Sequence, residues 1–274
     1  MTQAPPPHLA FIGGGNMASA ILGGLIRQGH PLAKLTVVEP HAETRERLLS
    51  QFGLTALNQP GPDLASTEVV VWAIKPQVFE QAASQAKAHC GHALHLSVAA
   101  GIRSDSIARW LGTERVVRAM PNTPALVGLG QTGLFARATV QAQERQWVER
   151  IMATTGQSLW VEQESLLDAV TAISGSGPAY VFFFIEAMVE AAVGMGLSSE
   201  QARQLAIGTF VGASELARSS DESPATLRER VTSKGGTTYA ALQHMQAAGV
   251  ADAFRAAMQA ACQRARELGD EFGK

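Results

Sequence analysis

A chain of 274 residues, 46% hydrophobic and 17% charged, is long enough for two ordinary domains and too apolar to be disordered as a whole. Its 22 Lys and Arg against 24 Asp and Glu leave a formal charge of -2, so there is no basic excess for a nucleic-acid backbone or an anionic membrane, and any anionic partner is expected to be small and locally recognised. Two cysteines, Cys90 and Cys262, exclude a disulfide scaffold and fit a reducing compartment; with no basic segment followed by an apolar core at the N-terminus, the expected location is the cytoplasm.

From Leu9 onward short β-branched runs alternate with amphipathic stretches. The pattern predicts a strand at 9–13, a helix over 17–28, a strand at 35–39 and a helix through 45–52. Strands follow at 68–74, 92–100 and 115–121, with a helical stretch after Pro76 and a helix near 104–111. Runs apolar on both faces suit a parallel sheet covered on either side by helices, a doubly wound α/β arrangement. The stretches 132–136 and 158–162 add the last strands. Beyond about Glu164 strand signals stop and helices are expected over 179–196, 199–218 and 251–268, so the domains are read as 1–163 and 164–274, the second all-α. The phenylalanine run 182–184 is apolar all round and either fills the centre of a bundle or meets a second subunit; a half this apolar predicts an obligate oligomer.

Gly13, Gly15 and Ala18 make GxGxxA at the first strand-to-helix junction. Gly13 permits a tight turn, Gly15 lets a pyrophosphate approach the backbone, and Ala18 lets helix and strand pack closely; at this place in a βαβ series the pattern points to a dinucleotide. The second strand ends in Glu39, where an acid commonly holds the adenosine ribose hydroxyls and rejects a 2'-phosphate, which argues for NADH. Downstream, His41, Arg45 and Arg47 are either phosphate contacts or a solvated helix face. Lys75, in AIKPQ at the end of the third strand, either flanks the cofactor or is a loop lysine in water. In TSKGGTT, 232–238, hydroxyls and bare amides precede a helix, as in an anion site or in an N-cap with a flexible turn. His89, His92 and His95 lie around Cys90 but match no familiar ligand spacing, so no metal is expected.

With AMPNTPALVG (119–128), DAVTAISGSGPAY (168–180) and VTSKGGTTYAAL (231–242) following GxGxxA in order, the chain resembles the pyrroline-5-carboxylate reductase family over essentially its whole length. The resemblance implies NAD(P)H-dependent reduction of the cyclic imine 1-pyrroline-5-carboxylate to L-proline, the last step of proline biosynthesis. It also implies a Rossmann-like domain joined to a helical domain that interlocks with its partner in a dimer, often assembled further into larger rings. Carried over by residue, Gly13, Gly15, Asn16 and Met17 are the pyrophosphate site, and Asn58, Ala73, Lys75 and Pro76 are further cofactor contacts, beside the Glu39 read from its place after the second strand. Ala99 to Gly101 and Asn122 line the nicotinamide side, and Ser176 lies beside nicotinamide and substrate. Val231, Ser233, Gly236, Thr237 and Thr238 hold the substrate carboxylate, with Thr238 also near the ring nitrogen as the catalytic candidate.

This chain departs from the family pattern at Lys234, where many relatives have proline, and at Glu39, where many NADPH-preferring members have a small or basic residue. NADPH is placed first and NADH second. A β-hydroxyacid dehydrogenase would need a lysine in the bundle helix after the glycines, and SGSGPAYVFFFIEAM has none. A non-catalytic nucleotide sensor would have no use for the full hydroxyl set of TSKGGTT.

Overall fold

The first half folds because its strands are buried on both faces. In the computed structural model, which describes residues 6–273, β1 (Leu9–Ile12), β3 (Val69–Trp72) and β4 (Leu94–Ser97) expose none of their residues, and β2 (Leu35–Val38) and β5 (Val116–Met120) little more. The N-terminal residues 1–5, part of the reading of the N-terminus above, lie outside the described residues. The sheet continues through β6 (Gly130–Ala136) and β7 (Gly156–Trp160) in the order β2-β1-β3-β4-β5-β6-β7.

Helices cover it as the apolar spacing requires. In α1 (Asn16–Arg27), Ala18, Ile21, Leu22 and Leu25 recur at three- and four-residue intervals and are buried in one cluster with β1 and β3. Burying each of the three larger side chains contributes about 1.5–3 kcal/mol. The opposite face of the sheet is covered by α3 (Phe79–Cys90) and α4 (Ser104–Leu111), where Trp72 stacks on Phe79. α2 (Ala42–Phe52) follows β2, and α5 (Ala142–Ala153) joins β6 to β7.

The doubly wound sheet is as expected, but it is not parallel throughout. β1 to β5 run parallel, β6 is antiparallel to β5, and β7 is parallel to β6. The link from β5 to β6 holds only a short 3-10 turn at Thr123–Val127, and a parallel return needs a crossover of about a dozen residues or more. Strand direction is thus set by the connection, which apolar patterning in the strand does not record.

Contacts gather the chain into two compact units, Met1–Ser176 with Ala261–Lys274, and Gly177–Ala260. Within the first, α6 (Leu166–Val170) lies against β6, where Gly133 leaves room for Leu167 and Val170. A π-helical turn, Thr171–Gly175, follows, with Ser176 N–H donating to Thr171 O at 2.8 Å. The second unit holds α7 (Gly177–Gly194), α8 (Ser199–Arg218), α9 (Pro224–Arg230), α10 (Thr237–Ala247) and the first part of α11 (Val250–Phe272). Phe184 and Tyr180 meet Phe254 edge to face, yet none of the described α7 residues is buried and Phe182 and Phe183 are 65% and 64% exposed. The 182–184 run therefore does not fill the centre of this protomer's own bundle. By length and composition the stretch Leu166–Gly194 would also suit a membrane span.

One buried histidine makes stability depend on pH. His95 of β4 is fully buried, and its Nδ1 accepts a hydrogen bond from Trp72 Nε1–H at 3.0 Å. Burial, with Arg115 and His92 adding repulsion, pulls it down to about 3, so it stays neutral in the folded chain while the unfolded chain protonates it below about 6.5. Its contribution is fully present above the unfolded value and is lost as pH falls from there towards 3. Between pH 7 and about pH 4.5 this amounts to about 2–3 kcal/mol. Urea unfolding of the wild type and of His95→Gln at one protein concentration checks it: the variant should lose less stability over that interval, and equal losses would exclude His95 as the cause.

Candidate active site

The strand order reverses at β1, which lies between β2 and β3; open α/β sheets bind nucleotides beyond the carboxyl ends of strands at such a point. Gly13 turns the chain there at φ 98°, and a Cβ on it would stand 2.5 Å from Ala73 O and 2.7 Å from Ile74 Cγ2. Gly13 N–H donates to Val38 O at 2.8 Å, and Ala73 N–H to Ile12 O at 2.9 Å, so the ends of the three strands are stitched together. Gly15 caps α1 with no side-chain hydrogen bond, no acidic residue in the first turn and open space where a Cβ would point. The first amides of α1 thus face an open position, and the helix dipole favours negative charge there. Asn16 is exposed beside it and Met17 is half-buried against the core. A dinucleotide's pyrophosphate fits this cradle.

Glu39 serves the turn. It is buried, with Oε2 accepting from Gly14 N–H at 2.8 Å and Oε1 from His41 N–H at 2.9 Å. From the other side Arg47 donates to Gly14 O at 2.8 Å, while Arg45 donates to the carbonyls of Glu39 and Pro40 at 3.0 and 2.7 Å. The acid, read from sequence as a cofactor contact, and the two arginines, left open there between phosphate contacts and a solvated helix face, all hold backbone.

In the second unit, Gly235 at φ 75° and Gly236 bring the chain into α10. A Cβ on Gly236 would lie 2.5 Å from Ser233 Oγ, so the glycine makes room for that hydroxyl. Gly236 N–H closes the turn onto Ser233 O at 3.0 Å, and no side chain caps α10, which leaves the amides at its start open. Val231, Ser233, Thr237 and Thr238 are exposed around this nest, Lys234 among them. Thr232, by contrast, folds its hydroxyl back onto Arg228 O at 2.6 Å. A cleft of about 760 Å³ in this unit, lined by Phe184, Thr232, Tyr239, Leu242 and Phe254 among others, includes none of the residues expected to bind substrate.

Residues 164–268 match the family model described as Pyrroline-5-carboxylate reductase dimerisation, and residues 8–101 match one described as NADP oxidoreductase coenzyme F420-dependent. The pyrroline-5-carboxylate reductase of Pseudomonas aeruginosa is 43% identical over 271 residues, covering 98% of this chain and 99% of that one. The chain belongs to the pyrroline-5-carboxylate reductase family. Among solved reductases it is similar to that of Coxiella burnetii, with a TM-score of 0.89 at 36% identity over 96% of this chain and 98% of that one. The Plasmodium falciparum pyrroline carboxylate reductase with NADP bound gives 0.86 at 27% identity, covering 97% and 99%. Members of this family are oxidoreductases that catalyse the final step of proline biosynthesis.

The remaining positions that the sequence resemblance implies fall along the carboxyl edge of the sheet or next to it. Asn58 is exposed just past the bridge between Val38 and Leu57, beside Glu39. Exposed Lys75 and half-buried Pro76 open the 3-10 turn after β3. Buried Ala99 and half-buried Gly101 follow β4, and Asn122 follows β5. The Asn122 side chain accepts from Gln131 N–H at 2.9 Å and donates to Ser174 O at 3.0 Å, fastening the π turn to the β5–β6 link. Ser176 ends that turn, half-buried.

Sequence reasoning did not find the ion pairs around these loops. Arg103 pairs with Asp168, and Arg118 with Glu164 at 2.6 Å, on carboxylates four residues apart. Burial pulls Arg118 below the usual arginine range, against the attraction of Glu164. The four-residue spacing of two acids was the available signal.

Proposed function

We propose that the chain reduces 1-pyrroline-5-carboxylate to L-proline with NADPH, in the cytoplasm, as a homodimer that can assemble further into a ring. The domains read from sequence, 1–163 for the dinucleotide and 164–274 for substrate and dimerisation, carry the two halves of the task. The observation that bears most weight is the uncapped, glycine-opened start of α10 with Ser233 turned onto it. A small carboxylate calls for several converging donors, and the amides of Thr237 and Thr238 with the Ser233 hydroxyl supply them.

Gly13, Gly15, Asn16 and Met17 would hold the pyrophosphate, with Asn58, Ala73, Lys75 and Pro76 along the nucleotide and Ala99, Gly101, Asn122 and Ser176 towards the nicotinamide. When bound, the reduced nicotinamide supplies the hydride. The protein's own task is positioning: the nest fixes the acid by its carboxylate, which leaves the ring one orientation relative to Thr238. A threonine hydroxyl is too weak an acid to protonate an amine-like nitrogen outright, so Thr238 orients that nitrogen and relays a proton from water, or holds one the substrate brought with it. NADPH is preferred in this reading because both Glu39 oxygens are already engaged by backbone amides and so are poorly placed to accept from the adenosine ribose hydroxyls, as an NADH-selecting acid would. The match of residues 8–101 to an NADP oxidoreductase model supports the same choice.

Steady-state kinetics with the pyrroline acid, run in parallel with NADPH and NADH, tests reaction and cofactor together. Oxidation of both is expected, with the higher kcat/KM for NADPH. A chain that bound either nucleotide yet oxidised neither with any small cyclic imine acid would be a sensor.

A further inference from the structure

The loop 98–103, between β4 and α4, rests on the far end of the chain. A Cβ on Gly101, at φ 72°, would meet Leu268 Cβ at 3.2 Å and the Phe272 ring at 3.3 Å. At the end of the loop the Arg103 guanidinium fills the notch left by Gly269, where a Cβ would be 2.5 Å from Nε, 2.7 Å from Cζ and 2.8 Å from Nη2. Arg103 Nη1 donates to both oxygens of Asp168 at 3.2 Å, and Asp168 is only 4% exposed. A carboxylate so enclosed needs that cation, which keeps the guanidinium in place. The following residue is fixed as well: Ser104 N–H and Oγ–H donate to Glu164 at 2.6 and 2.5 Å. The last turn of the chain is held in its turn, because Ser106 Oγ and Arg109 Nη2 both donate to Gly273 O at 2.9 Å.

We infer that Arg103 is a positioning residue for the nicotinamide-side loop, set from behind by the C-terminal turn of α11. The inference rests on the reading that Ala99 to Gly101 face the nicotinamide. β4 fixes where the loop begins, through Val98 N–H on Trp72 O at 3.1 Å. Arg103 fixes where it ends, and α11 supports the middle. A displaced guanidinium would be felt at Ala99 and Gly101 with no change in the substrate nest, so cofactor affinity and not acid affinity is the quantity that moves.

Gly269→Ala is the decisive variant. Alanine favours the helix, so α11 and the fold persist, while the methyl group takes the space of the guanidinium. The KM for NADPH should rise about tenfold with the KM for the imine acid unchanged, while the thermal midpoint falls as Asp168 loses part of its partner. Arg103→Lys, which keeps a charge for Asp168 but loses the flat fork seated in the notch, should move the NADPH KM in the same direction by less. An unchanged NADPH KM in both variants overturns the inference. So does a parallel loss of both affinities, the mark of a merely structural role. Ala100→Phe, on the exposed crest of the loop, separates the two layers. If it leaves the NADPH KM unchanged, the placement of the loop at the nicotinamide fails; if it raises that KM while Gly269→Ala does not, only the positioning role fails.

Discussion

Thr238→Ala should lower turnover about a hundredfold and leave the KM for NADPH unchanged. The side chain is exposed in the first turn of α10 and its hydroxyl makes no hydrogen bond among the described residues, so removing it disturbs nothing that holds the fold. On the proposed function, what is lost is a neutral donor and acceptor for the ring nitrogen, whose charge changes as the C=N bond is reduced. Interactions that strengthen only as charge moves appear in kcat, whereas uniform grip on the carboxylate appears in KM. Thr238→Ser, which keeps the hydroxyl, should recover most of the rate. Single-turnover rates with saturating imine acid measure the effect directly; full turnover with weaker acid binding would leave Thr238 a purely binding residue.

Gly13→Ala carries the largest expected loss of stability, about 4 kcal/mol, together with loss of NADPH binding. Two causes act together. At φ 98° a side chain is strained wherever it points, and this one would point into a main-chain carbonyl 2.5 Å away, which has no rotamer to escape to. Relief requires β1 and β3 to part at the crevice proposed for the nucleotide. Gly15→Ala is the contrast: its φ of -70° suits any residue and its Cβ would enter open space, so the fold should be unaffected and only the approach of the pyrophosphate should suffer. Urea unfolding with NADPH titration by intrinsic fluorescence separates the two, and a wild-type urea midpoint for Gly13→Ala would contradict the steric account.

Much of this was legible in the sequence because it is local. The GxGxxA turn, the face of α1 and the strands β1 to β5 declare themselves in spacing and side-chain type, and the helix start after Gly235-Gly236 could be read from its glycines and hydroxyls. What escaped is non-local. The reversal of β6 depends on the link before it, and the engagement of Glu39 joins residues 25 apart in sequence. α5 was passed over because its apolar residues are sparse among charges, although the Gln141–Glu144 capping box marks its start. α9 is short and polar and starts at Ser223-Pro224, which reads equally well as a turn. The seat of Arg103 against Gly269 has no trace in either neighbourhood, since a helical glycine in isolation signals only a weaker helix.

The bare phenylalanines of α7 bear on how the protein keeps its shape at all. A helix with none of its described residues buried in its own protomer, in a region matching a dimerisation family, is expected to make folding depend on association. Abundance then enters the free energy of the native state by mass action, and dilution acts on it as a denaturant would.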